Sequence, residues 1–311
     1  MLYYRRKILL AVIEAFGGKI TAISLQKLLF LFTLKQDNKA FDFVPYRYGC
    51  FSFQANQDIA TLKTYGYLNV SDDGKTIQLI KPDKYISLLN VIDSQYIKEI
   101  NNDFGNLSQT ELVKYTYIHF PYYAIKSAIA HDILDEKQMQ TIHLQIKKYR
   151  ESALFTIGYE GITLETYINK LIFNDIKVLC DVRKNAYSQK YGFSKSQLKT
   201  ACEGVEIRYL HIPDLGIVSE KRQNLNTQSD YDALFNDYEK TVLKDNEHSI
   251  HIIRNLLQND KRIALTCFEK DPKQCHRSRI AKRLMQGEDF ITTLLVSFNT
   301  KCTSLSSKLS R

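Results

Sequence analysis

"LTCFEKDPKQCHRSRIAKRL" (residues 265–284) joins an apolar run that reads as a strand to a run that reads as a helix. A turn between them needs residues such as Asp271 and Pro272, which are already there. Cys267, Glu269, Cys275, His276 and Arg277 are surplus to turn chemistry, and surplus reactive groups at a strand end are the first sign of a site.

Working outward from this stretch, the same strand-then-helix grammar recurs through the second half. "ALFTIGYEG", "IKVLCDVR", "EIRYLHIPDLG" and "RIALTCFE" read as strands, and "FITTLLVSF" as a last one. Between them "TLETYINKLIFND", "SKSQLKTACEG" (with Ser194 as cap), "SDYDALFNDYEKTVL", "SIHIIRNLLQND" and "CHRSRIAKRLM" read as helices. Apolar strands separated by helices predict an α/β, Rossmann-like parallel sheet covered on both faces, over residues 151–298. The Ser/Lys-rich residues 299–311 read as a disordered tail.

The first 150 residues have a different grammar. "RRKILLAVIEAF" sets Ile8, Leu9, Val12, Ile13 and Phe16 on one helical stripe, and "TAISLQKLLFLFTLKQ" is a second helix capped by Thr21 or Ser24. Gln54 to Tyr65 is a third, and "YLNVSDDGKTIQLI" is a hairpin about Asp72-Asp73-Gly74. Three helices and a terminal hairpin give a mainly helical, winged-helix-like domain. A further helix over 106–120 carries Ser108 and Glu111 at capping-box spacing. The aromatics Tyr46, Tyr48, Phe51 and Phe53 fit core packing or base stacking.

The chain has 311 residues and a formal charge of +9, which favours polyanionic partners. The excess is spread, with 19 basic against 14 acidic residues in 1–150 and 24 against 20 in the rest. No run of about eighteen apolar residues predicts a membrane span. The N-terminus lacks a small-residue cleavage site and carries Glu14 within its apolar run, against a signal peptide. Six scattered cysteines suit a reducing cytoplasm.

In parallel α/β sheets ligands bind beyond the carboxyl ends of the strands. Those ends place Gly158 and Tyr159, Asp181 and Arg183, His211 and Gly216, and Cys267 with Glu269 at one edge. Arg183 and Arg277 suit a phosphate or carboxylate, helped by the helix start near Cys275 and His276. Gly158 would let a ligand approach the backbone. Asp181 and Glu269 could share a site as general acid and base, although Asp181 with Arg183 also fits a structural ion pair. His211 fits either catalysis or a backbone hydrogen bond. Cys275 is the candidate thiolate, lying at a helix start, whereas alternation buries Cys267. A metal held by Cys267, Cys275, His276 and His211 is weighed and set aside, because adjacent Cys275 and His276 rarely reach one ion. The absence of G-x-G-x-x-G argues against a dinucleotide, and no cofactor is expected.

The pieces "TIGY", "DVR", "YLHIPDLG" and "CFEKDPKQCHR" together resemble the YeaO-like group, domain-of-unknown-function family 488, over about residues 154–290. "ISLQKLLFLF", "FVPYRYGCFSF" and "YGYL" resemble YwgA-type antitoxin and defence-associated domains. The first resemblance implies where a site lies rather than its reaction. The second implies an N-terminal module that engages DNA or a protein partner. Residues and resemblances together predict an enzyme directed at nucleotides or nucleic acid, hydrolysing or transferring at a glycosidic or phosphoester bond; a role in defence is implied only by the two resemblances. The alternative is a non-enzymatic nucleotide sensor or DNA-binding regulator.

Overall fold

The computed structural model describes residues 2–81, 83–223 and 225–286, and the backbone of 294–297. The chain divides into two compact units, Met1–Ile146 and Lys147–Arg311. Residues 299–311, expected to be disordered, lie outside the described residues, as does most of the last expected strand.

The N-terminal unit is mainly helical. It runs α1 (Tyr4–Ala15), β1 (Lys19–Thr21), α2 (Ala22–Lys35), β2 (Val44–Tyr46), β3 (Gly49–Phe51), α3 (Phe53–Thr64), β4 (Leu68–Val70) and β5 (Thr76–Leu79). Helices α4 (Val91–Phe104), α5 (Gln109–His119), α6 (Ala130–Ile133) and α7 (Glu136–His143) follow. Caps set the helix starts: Thr21 accepts from Ser24, Ser52 from Ala55, and Ser108 forms a capping box with Glu111. The antiparallel sheet has the order β1-β5-β4, with Ile20 opposite Ile77 and Val70 opposite Ile77 on the other side.

The expected stripe on α1 is broader than a stripe. Every residue from Ile8 to Ile13 is buried, so α1 is enclosed on all sides rather than lying on a surface. Its polar start is anchored by Asp58, a fully buried carboxylate that accepts from Arg6 at 2.7 Å and from Arg5. Tyr46, Phe51 and Phe53 pack on one another with ring centroids 4.9–5.5 Å apart, whereas Tyr48 is exposed. Lys27 is buried and donates to the carbonyl of Cys50 at 3.1 Å. Among the described residues the ribbon β2–β3 has no third strand to satisfy such outward carbonyls.

The second unit alternates as read. Strand β6 (Ala153–Gly158) leads to α8 (Leu164–Phe173), β7 (Val178–Asp181), α9 (Lys195–Glu203) and β8 (Arg208–His211). Then come α10 (Gln228–Tyr238), α11 (Glu247–Asp260), β9 (Arg262–Cys267), α12 (Arg277–Leu284) and β10 (Leu294–Ser297). The sheet is parallel with strand order β10-β6-β9-β7-β8. Insertion of β9 between β6 and β7 puts the Cys267 strand end at the middle of the carboxyl edge. Every residue of β6 but Gly158, and every residue of β7 and β9, is buried, as a sheet covered on both faces requires. Among the described residues no helix is long and apolar enough to cross a membrane.

Candidate functional site

Pairing register decides which strand-end residues can meet. Cα partners are Gly158 with Cys267, Asp181 with Thr266, and His211 with Asp181. Side chains alternate along a strand, so Asp181 and Cys267 point to opposite faces of the sheet. Val178, Cys180, Ile263 and Leu265 pack with Phe235, Ile250 and Ile280 of α10, α11 and α12, and Cys267 continues that face. Asp181 belongs to the other face, near Tyr167 of α8 and Cys202 of α9. The single pocket expected from the strand ends therefore separates into two groups.

The first group is closed. Asp181, fully buried, accepts from Arg183 Nε at 2.8 Å, from Arg183 Nη2 at 2.5 Å and from the Tyr209 hydroxyl at 2.6 Å. The remaining guanidinium nitrogen, Arg183 Nη1, donates to the Tyr159 hydroxyl at 2.7 Å and to the Phe193 carbonyl at 2.9 Å. The Tyr159 ring stacks on Phe193 with centroids 4.3 Å apart. Burial alone would lower the pKa of Arg183, but the bonds and charge of Asp181 outweigh it and raise it. Burial, reinforced by the Asp181 charge, raises Tyr209. Asp181 and Arg183 thus form the ion pair that stood beside a catalytic role as the alternative. Their donors and acceptors are spent inside the protein.

His211 also turns inward, its Nε2 lying 2.9 Å from the carbonyl of Arg183. It is absent from the set of residues able to share a metal among those described. Arg277, expected to bind a phosphate, is buried and donates to the carbonyls of Glu269 at 2.7 Å and Lys270 at 3.2 Å. It clamps the loop between β9 and α12. Gly158 and Gly216 act the same way. A Cβ on Gly158 would collide with the carbonyl of Glu269, and one on Gly216 with the backbone of Lys184. Both let strand-end loops touch each other, which replaces the close ligand approach expected of Gly158.

The second group is Cys267, Cys275 and His276, all buried, with their ligand-type atoms within 4.8 Å of one another. Adjacency of Cys275 and His276 does not separate them, because the backbone changes conformation between them. Cys275 is extended at φ −135°, ψ 133°, and His276 is helical at φ −61°, ψ −21°. His276 Nε2 lies 3.0 Å from the Val182 carbonyl and donates to it, which leaves Nδ1 facing Cys267 Sγ at 3.9 Å. A hydrogen bond from the Cys275 thiol holds Cys267 well below the ordinary thiol range against burial, and the Arg222 charge acts in the same direction. Burial, then the neighbouring Cys267, pushes Cys275 well above that range. The contact between the two thiols drives them in opposite directions, and both lie inside the buried cluster.

Glu269 lies two residues beyond Cys267. One carboxylate oxygen pairs with Arg222, and the other, Oε2, is buried with no hydrogen-bond partner among the described residues. Its side chain is 13% exposed and that of Arg222 is 28%. Sequence reading missed Arg222, which sits in the segment between β8 and α10, where nothing local ties it to Glu269. It also missed Tyr238, whose ring meets His276 edge-on at 5.6 Å and whose hydroxyl bonds the Leu215 carbonyl at 2.6 Å. Tyr238 also walls a groove of about 270 Å³ beyond the ends of β7 and β8, lined by Lys184, Asp214, Gly216 and Lys221.

Fold and site define a parallel α/β domain with a buried Cys-Cys-His group, a guanidinium and a carboxylate at the carboxyl edge of its sheet. Residues 163–284 match the model of a family described as Domain of unknown function DUF488, to which this stretch is similar. The match starts after β6, later than the resemblance read from the sequence, and leaves the N-terminal unit uncovered. No curated protein matches the chain.

Proposed function

We propose that the protein is an enzyme directed at nucleotides or nucleic acid, acting on a glycosidic or phosphoester bond, with Glu269 as its general acid–base group. The observation that carries this reading is the Glu269 carboxylate: nearly enclosed, held by Arg222 through one oxygen, its other oxygen without a partner among the described residues. A buried carboxylate oxygen that no protein donor satisfies suits a proton or a substrate hydroxyl. A separate groove beside Tyr238, lined by Lys184 and Lys221 together with Asp214 and Asp237, is of a size for a small ligand, with Lys221 paired to Asp237 at 2.8 Å. Replacing Glu269 with Gln is expected to lower turnover at least about a hundredfold on a panel of nucleotides and oligonucleotides, with binding retained. Undiminished turnover in that variant would remove Glu269 from the chemistry. Saturable binding by the wild type with no turnover of any panel member would instead select a ligand-sensing regulator.

The N-terminal unit supports delivery to nucleic acid. Its order α1-β1-α2-α3-β4-β5, with β5 between β1 and β4, agrees with a winged-helix reading in which the β2–β3 ribbon precedes the third helix. In that reading α3 is the recognition helix, and it exposes Asn56, Gln57 and Lys63, side chains able to meet base edges and phosphates. The exposed turn over Ser71 to Lys75 is the wing. With four phosphate contacts, duplex affinity should fall about a hundredfold between 50 and 200 mM salt. A flat salt response in a filter-binding or anisotropy titration would remove nucleic acid as the ligand of this unit. Action against foreign nucleic acid rests on the family resemblances of the two halves alone.

A further inference from the structure

We propose that Cys267, Cys275 and His276 bind a thiophilic divalent cation, zinc by donor chemistry, with one coordination position left to water or a ligand. The inference goes beyond the assignment of Glu269 and does not depend on it. Two sulfurs and an imidazole nitrogen converge from the end of β9 and the start of α12, and all three residues are at most 1% exposed. In a tetrahedral zinc site, ligand atoms roughly 2.0–2.3 Å from the ion stand roughly 3.5–3.8 Å apart. The Cys267 Sγ to His276 Nδ1 separation is 3.9 Å, and every pair lies within 4.8 Å.

The histidine is arranged as metal-bound histidines are. Its Nε2 donates to the Val182 carbonyl at 3.0 Å, which fixes the ring and the tautomer and turns the Nδ1 lone pair toward the sulfurs. Charge closes as well. Two thiolates neutralise a dication, so the filled site buries no net charge, whereas a buried thiolate without an ion must be offset by neighbours. Among the described residues the set stops at three donors. Three protein ligands with a vacant fourth position is the pattern of a catalytic rather than a structural zinc.

The test uses the full chain, reduced and dialysed against zinc. One zinc per chain is expected by elemental analysis. Cobalt in its place should show thiolate-to-metal charge-transfer absorption and tetrahedral visible bands. Cys267→Ser, Cys275→Ser and His276→Ala should each weaken zinc binding by more than the roughly 10- to 100-fold typical of losing a supporting hydrogen bond. Cys202→Ser, an equally buried thiol outside the group, should leave the stoichiometry unchanged. A measurement on the wild type stands apart from variant folding: zinc should protect Cys267 and Cys275 from alkylation, and a chelator should release that protection. Zinc absent from folded, reduced protein overturns the proposal. So does unaltered zinc affinity in a folded Cys267→Ser variant, or a Cys267–Cys275 disulfide that takes up no metal after reduction. None of these readouts involves turnover, so loss of the Glu269 reading would leave this result standing, and the reverse.

Discussion

Replacing Asp181 with alanine is expected to destabilise the C-terminal unit by about 3–5 kcal/mol, the scale of removing one partner from a buried ion pair. The cost arises mainly from what is left behind. Arg183 is 5% exposed and draws two of its hydrogen bonds from Asp181, and the Tyr209 hydroxyl loses its acceptor at the same time. An uncompensated guanidinium would then sit against Tyr159 and Phe193, which it also ties together. For a unit of this size the loss corresponds to a drop in melting temperature of roughly 10 °C. Tyr209→Phe removes a single bond to the same carboxylate and should cost less, about 1–3 kcal/mol. A variant Asp181→Ala that melts like the wild type while losing turnover would return this carboxylate to the catalytic machinery.

Gly158→Ala should be as damaging for a different reason. The new methyl would occupy space held by the Glu269 carbonyl and approach the Lys270 Cα. Backbone rather than a pliable side-chain tip stands in the way, so the β6 end and the β9–α12 loop must separate. Overpacking typically costs about 1–3 kcal/mol and occasionally more, and a backbone collision belongs at the upper end. Displacing the Glu269 carbonyl also weakens the clamp from Arg277. Thermal unfolding and limited proteolysis of the loop around Lys270 would register both effects. An unchanged melt with unchanged protease resistance would mean that this close approach is not needed for the loop's position. Glu269→Gln keeps the loop intact and separates the side chain's contribution from that of the backbone.

Much of the architecture was legible because its causes are local. Alternation of apolar runs with capped helical patterns places β6 to β9 and α8 to α12 where the structure has them. Ser52, Thr21 and the Ser108–Glu111 box act within three residues of chain. Ser194 is the exception: it caps nothing with its side chain and instead donates to the Ser188 carbonyl at 2.9 Å, a loop contact that composition does not foretell. Helix α4 went unread because its buried face is sparse, with Asp93, Ile97 and Ile100 carrying it. The short strands β1, β2 and β3, of three residues each, give too little alternation to register.

The chain's local chemistry by itself determined that polar and reactive groups gather at one edge of a parallel sheet, since each strand end carries its own. Which of them meet was decided by pairing between strands far apart in sequence. Asp181 aligned with Thr266 rather than Cys267 sends the carboxylate to one face and the thiol to the other, because side chains alternate with a period of two. Arg183 and Arg277 look alike as charges in a sequence, yet tertiary contacts bind one to a carboxylate and the other to backbone carbonyls. Glu269 gained Arg222 across 47 residues, a partner that only the folded loop supplies. Cys275 and His276 converge with Cys267 because the backbone passes from extended to helical between two neighbours, a change that burial of both side chains against α10 and β9 enforces.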